Sequence, residues 1–214
     1  MAPGPIRSLR FIHNALAAQA HLVHRSCQQL QTPGEAVQVA GTIAMLVDAA
    51  RGHAKGEDGG YFPTLEERAA KSTEAFSGDH VAEEKRFTEL LRLAGTCSSS
   101  DDLEALKETA KAVCDNLLDH QEREETILWP LTEELFSPPE QGAIVGAILA
   151  HVPKEDLPML IPWMVQMQTP EEAVAYVNVL KNVQPPEVFE KSMEWIRGGV
   201  SSERWKEVEA GVPL

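Results

Sequence analysis

The sequence predicts an all-α protein: two helical hairpins packed as a four-helix bundle, followed by a short-helix C-terminal extension. Three observations carry this reading. Four segments match the S/T-x-x-E capping box, Thr32–Glu35, Thr64–Glu67, Ser137–Glu140 and Thr169–Glu172. In three of them proline follows the cap, at the first helical position where its missing N–H costs nothing. No run alternates apolar and polar residues with the β-branched richness of a strand. Finally, one block of sequence recurs 67 positions later in the chain.

Taken in order, the first helix is predicted over about 6–31, the second over 33–57, the third over 64–93 and the fourth over 101–129, from caps, apolar periodicity and breakers. Thr96-Cys-Ser-Ser-Ser100 is the clearest polar loop. After Phe136 prolines fall at 138, 139, 153, 158, 162, 170, 185 and 186, cutting the remainder into short helices. Residues 1–136 are therefore read as one domain and 137–214 as a helical appendage. Trp163, Trp195 and Trp205 with Met159, Met164 and Met167 most simply form the appendage core. An exposed subset of them would mark a docking surface for a protein partner.

Composition narrows the function. The 214 residues, 43% hydrophobic, suffice for a proper core. Lys and Arg number 19 against 33 Asp and Glu, a net charge of −14, which gives no electrostatic reason to seek nucleic acid or an anionic membrane. No uncharged apolar run reaches the roughly 18 residues of a transmembrane helix. The opening Met-Ala-Pro-Gly-Pro has neither a basic nor an apolar signal region. Cys27, Cys97 and Cys114 are an odd number without C-x-x-C spacing, pointing to reduced thiols, and a cytoplasmic location is expected.

The repeat carries the chemistry. His53-Ala-Lys-Gly-Glu57-Asp-Gly-Gly-Tyr-Phe62-Pro63 and His120-Gln-Glu-Arg-Glu124-Glu-Thr-Ile-Leu-Trp129-Pro130 share one template: His, Glu four residues on, then an aromatic and a proline. The same 67-residue offset relates His13 to His80. Each hairpin thus has one His early in its first helix and H-x-x-x-E late in its second. His13 and His53 flank a midpoint at Pro33, His80 and His120 one at Ser100, and both midpoints are predicted turns. Residues equidistant from a hairpin turn share a height, here roughly 30 Å from the turn at 1.5 Å per residue. His and Glu at i and i+4 share a helix face. Four imidazoles and two carboxylates then converge in one layer, which is costly unless something occupies it. A metal turns such a cluster into a stabilising feature. Imidazole with carboxylate suits iron, manganese or zinc, and two symmetric glutamates are natural bridges between two ions.

This pattern resembles the haemerythrin, or HHE cation-binding, family over about residues 6–136. The resemblance implies an up-down-up-down bundle with a non-haem di-iron centre bridged by an oxo or hydroxo group. His13 and His53 would serve one iron and His80 and His120 the other, with Glu57 and Glu124 bridging. The sequence departs from the oxygen carriers on the third helix, where Phe76 stands four residues before His80 in place of a fifth His. Glu84, or Glu83 as the alternate, is expected to supplement the site, and Tyr61, four residues after Glu57, is a candidate ligand or a capping aromatic. Gly56, Gly59 and Gly60 should loosen the end of the second helix. His21, His24 and His151 are read as structural. Four imidazoles, two bridging carboxylates and an oxygen bridge leave two of twelve positions open on a pair of six-coordinate irons. The expected function is binding of O2 or another small oxidant or diatomic, or sensing of iron or oxygen. The alternative is an enzyme consuming peroxide or nitric oxide.

Overall fold

In the computed structural model, which describes residues 4–212, every regular element among the described residues is helical. Helix α1 (Arg10–Gln29) is followed by a 3-10 segment at Pro33–Gln38 and α2 (Ala40–Gly56). The chain continues through a π-helical turn at Glu57–Tyr61 into α3 (Phe62–Glu66), then α4 (Glu74–Thr96). After α5 (Ser100–Arg123) a second π-helical turn, Glu124–Leu128, leads into α6 (Trp129–Leu135) and then α7 (Pro138–Leu149). Four shorter helices follow: α8 (Leu157–Met167), α9 (Pro170–Val183), α10 (Pro186–Gly199) and α11 (Ser202–Gly211).

The bundle forms where the sequence places it. The first hairpin turn lies at its expected midpoint, in the gap between α1 and α2; the second occupies residues 97–99, just before the expected Ser100, which begins α5. Three expected capping boxes are present, at Thr32, Ser137 and Thr169. A fourth joins Ser99 to Asp102, whose shorter acid falls outside the E/Q template but satisfies the same backbone N–H groups. The helices α2 and α5 pack against α4. The side chain of Gln19 on α1 donates to the Thr42 carbonyl at 2.9 Å, and Gln28 of α1 reaches the Lys107 carbonyl of α5.

The box expected at Thr64 does not start a helix. The Thr64 hydroxyl donates back to the Gly60 carbonyl, so Thr64 sits inside the second bundle helix, which extends to Glu66. The third starts ten residues later than predicted, at Glu74. Glu66 organises the connection by accepting from the Lys71 and Thr73 backbone N–H groups and the Thr73 hydroxyl, while Lys71 takes a left-handed φ of 67°. Several acceptor contacts hold the Glu66 carboxyl below its usual range, with the Thr73 hydroxyl the largest influence.

By internal contacts the described residues up to Leu9 and Gln19–His151 form one compact unit, and Arg10–Ala18 with the described residues from Val152 onward form another. Helix α7 falls in the same unit as α2, α4 and α5. Its Ile144 and Ile148 join Ile6, Tyr61, Phe62, Leu128 and Trp129 in one apolar cluster. In the other unit Ile161, Val165, Val177, Phe189 and Ile196 form a core, with Trp195 and Trp205 packed at its edge. Trp163 and Met167 pack beside Phe11 and Met164, whereas Met159 is exposed.

Candidate metal centre

Each copy of the sequence template contains a π-helical turn that begins at its glutamate. The Phe62 N–H donates to the Glu57 carbonyl and the Trp129 N–H to the Glu124 carbonyl, five residues back in both cases. The cause is the proline that follows. Pro63 and Pro130 lack an N–H and would crowd the carbonyl four residues earlier in an unbroken α-helix. One extra residue in the turn absorbs that conflict, and such bulges recur at functional sites. The gap in pairing thereby falls next to the carboxylates.

Both glutamates are fully buried. Ligand atoms of Glu57, His80, His120 and Glu124 all lie within 4.8 Å of one another, and the same holds for His53, Glu57 and Glu124. The two carboxylates belong to both groups. His53 Nε2 is 3.3 Å from Glu57 Oε1, His80 Nε2 is 3.5 Å from Glu57 Oε2, and His120 Nε2 is 3.4 Å from Glu124 Oε1. The Nε2 atoms of His80 and His120 approach to 3.2 Å. His13, on α1, is 2% exposed.

The far ring nitrogens of two histidines lie beside carboxylates that stand outside the H-x-x-x-E pattern. His80 Nδ1 is 3.1 Å from Asp58 Oδ2, and His120 Nδ1 is 3.5 Å from Asp79 Oδ2. The His120–Asp79 contact has hydrogen-bond geometry, which orients the ring and aims Nε2 inward, whereas His80 Nδ1 meets Asp58 as a charge contact without a hydrogen bond. Each Asp is adjacent in sequence to a predicted ligand, Asp58 to Glu57 and Asp79 to His80, and that adjacency was the available signal. Rings pin the imidazoles from the other side: Phe62 stacks on His80 at 5.5 Å and Phe76 meets His120 edge-on at 5.8 Å. Burial opposes charging of His120, but Glu124, Glu83 and Glu57 outweigh it and raise its pKa. Burial raises the Glu83 pKa, partly offset by His120 and His80.

The supplementary ligands need correction. Glu84, the favoured one, points away: its carboxylate forms a two-pronged pair with Arg51, at 2.8 and 2.6 Å, on the exposed surface. Glu83 is the buried one, 6% exposed, with Oε1 lacking a hydrogen-bond partner. Helix rotation decides between neighbours, and α4 turns Glu83 inward. Neither belongs to the two ligand groups. Tyr61 is buried, and its hydroxyl bonds the Thr132 hydroxyl at 2.7 Å. Burial raises its pKa further. His21 lies beside Cys114 and the His151 ring faces the Ala147 carbonyl; with His24 they stay outside both groups.

The haemerythrin HHE cation-binding domain matches residues 4–131. The chain belongs to that family. Curated relatives include two proteins of Arabidopsis thaliana. One, named zinc finger protein BRUTUS-like, is 29% identical over 175 residues, covering 71% of this chain and 14% of its own length. The other, zinc finger protein BRUTUS, is 24% identical over 188 residues, covering 86% of this chain and 15% of its own length. The chain thus spans less than a fifth of the curated relatives it matches. No solved structure matches it. As an HHE domain it is a cation-binding bundle, and its donor set fits: buried imidazole nitrogen and carboxylate oxygen suit iron, manganese or zinc. No cysteine enters either group.

Proposed function

We propose that this HHE protein is a non-haem di-iron protein that binds O2 or another small oxidant or diatomic, or senses iron or oxygen through occupancy of its centre. One observation supports the reading above the rest: two ligand groups, one with His80 and His120 and one with His53, share the same two buried glutamates. That arrangement suits two cations bridged by Glu57 and Glu124, with His13 and His53 on one ion and His80 and His120 on the other. Manganese or zinc would suit the same donors. A bound iron pair supplies redox capacity and open positions for a small ligand. The protein supplies the rest. Asp79 orients the His120 imidazole, Asp58 lies beside that of His80, and Phe62 and Phe76 hold the two rings in place.

A second reading, consumption of peroxide or nitric oxide, is favoured by helix α4, where Phe76 provides no donor and the Glu83 carboxylate is buried within electrostatic reach of His120 and His80. A hard anionic donor favours the ferric state over reversible O2 binding, which starts from the ferrous one. The partners under either reading are small molecules; exposed Met159 and Val183 support a protein partner through residues 137–214 as a further part of the proposal. Among the described residues no helix is long and apolar enough to cross a membrane.

Metal analysis of the purified chain tests the proposal. Two irons per chain are expected, and His53→Ala and His120→Ala should each disturb both ions because the bridges are shared. One ion per chain, undiminished by either substitution, refutes it. Rapid loss of added peroxide without inactivation would select the enzyme.

A further inference from the structure

Between α4 and α5 lies a cavity of about 90 Å³, lined by Asp79, Glu83, Arg86, Asp119, His120 and Arg123 among others. Its lining spans surface and interior: the Asp119 side chain is 69% exposed, that of His120 3%. Two guanidiniums line it, those of Arg86 and Arg123. Arg123 Nε donates to Asp119 Oδ2 at 2.9 Å, and Arg123 Nη2 pairs with Asp79 Oδ2. The same Asp79 oxygen faces His120 Nδ1, and the Arg123 head lies over the Phe76 ring at 5.3 Å. Glu83 also lines the cavity, and its Oε1 is buried and lacks a hydrogen-bond partner.

A charged passage is a poor route for an apolar gas but a suitable one for a hydrated cation, which sheds water as carboxylates replace it. While Arg123 holds Asp79 and Asp119, two of the acids along the route are neutralised. The head is partly solvent-exposed, so releasing it breaks only surface ion pairs, which are weak. Arg123 ends α5 immediately before the π-helical turn at Glu124.

We propose that this crevice is the loading port for the divalent cations of the metal centre, with Arg123 as its latch and the Glu83 carboxylate as the transfer ligand. The inference rests on the metal-binding reading above. With Arg123 swung out, Asp119 and Asp79 accept the arriving cation, Glu83 takes it inward, and His120 with Glu124 receives it.

The test uses the full chain freed of metal, with cobalt(II) as a coloured probe. Stopped-flow absorbance reads loading, excess chelator reads release, and metal analysis reads stoichiometry. Arg123→Gln should load and release roughly three- to tenfold faster than wild type, the factor expected for losing weak surface pairs, at unchanged stoichiometry. Arg123→Lys keeps the charge but cannot span both carboxylates, so it should accelerate less, and it decides the matter if the Gln variant fails to fold. Glu83→Gln should slow loading. Arg51→Gln, which breaks the surface pair with Glu84 away from the crevice, should match wild type. Rates of the Arg123 variants equal to those of Arg51→Gln, or a loss of stoichiometry in them, overturn the port while leaving the metal centre standing. A wild-type chain that takes up no cobalt overturns both.

Discussion

Replacing Gly60 by Ala should destabilise the bundle relative to Gly52→Ala two turns earlier, although both changes remove a helix-weakening glycine. A Cβ at Gly60 would lie 2.7 Å from the Ala147 carbonyl carbon, 2.8 Å from its oxygen and 2.8 Å from the Ile148 nitrogen. All three are backbone atoms, so no rotamer change relieves them. Restoring ordinary contact near 3.5 Å requires α7 to retreat by roughly 0.7 Å. Overpacking of this kind costs about 1–3 kcal/mol. At Gly52 a Cβ meets nothing within 4 Å, and Ala should stabilise α2 by about 1 kcal/mol. That propensity gain is common to both variants, so their difference isolates the clash at about 1–3 kcal/mol. For a chain of this size it corresponds to roughly 2–12 °C in melting temperature. Thermal unfolding followed by circular dichroism, with wild type beside the two variants, reads it directly. Equal melting temperatures for Gly60→Ala and Gly52→Ala would refute the reasoning, since α7 could not then rest on the helix that carries Glu57.

Glu124→Gln keeps the shape of a shared bridge and removes its charge, so metal should no longer raise the melting temperature, whereas wild type gains about 4 kcal/mol at a thousandfold excess over its dissociation constant. An undiminished metal-induced shift in that variant argues against bridging. Asp58→Asn weakens the hold on His80 Nδ1 and should lower metal affinity about ten- to a hundredfold in a competition titration; unchanged affinity would make the 3.1 Å contact incidental. Tyr61→Phe should cost about 1 kcal/mol through its bond to Thr132 and leave two ions bound, and loss of an ion would restore Tyr61 as a ligand. A chain ending at Phe136 strips Ile144 and Ile148 from Phe62 and Trp129, so it should melt below one ending at His151; equal melting would place the boundary at 136/137.

The bundle and its ligand candidates were legible because they rest on spacing along single helices and on distance from a turn. The 67-residue offset holds in three dimensions down to the paired π-helical turns. Helix ends were less legible. Thr64 satisfies the letter pattern of a capping box, yet its neighbours Phe62 and Leu65 bury well enough to carry the helix past Pro63, and the cap is never needed. The three glycines at the end of the second helix differ for a reason outside that helix: Gly60 admits the α7 backbone, Gly56 meets Ile148 of α7, and Gly59 faces the His151 ring.

The chain by itself determined which residue types can meet at one height of a hairpin, because helical rise and periodicity are local properties. Tertiary packing decided which member of an adjacent pair faces inward. Glu83 and Glu84 differ by about 100° around α4, and only the rotation of that helix against α2 and α5 turns the first toward His120 and leaves the second to Arg51. Packing also brought Asp58 to His80 and Asp79 to His120. Those contacts join separate helices at side-chain tips, where a shift of about 1 Å makes or breaks a hydrogen bond, and no periodicity along one helix encodes a distance of that kind.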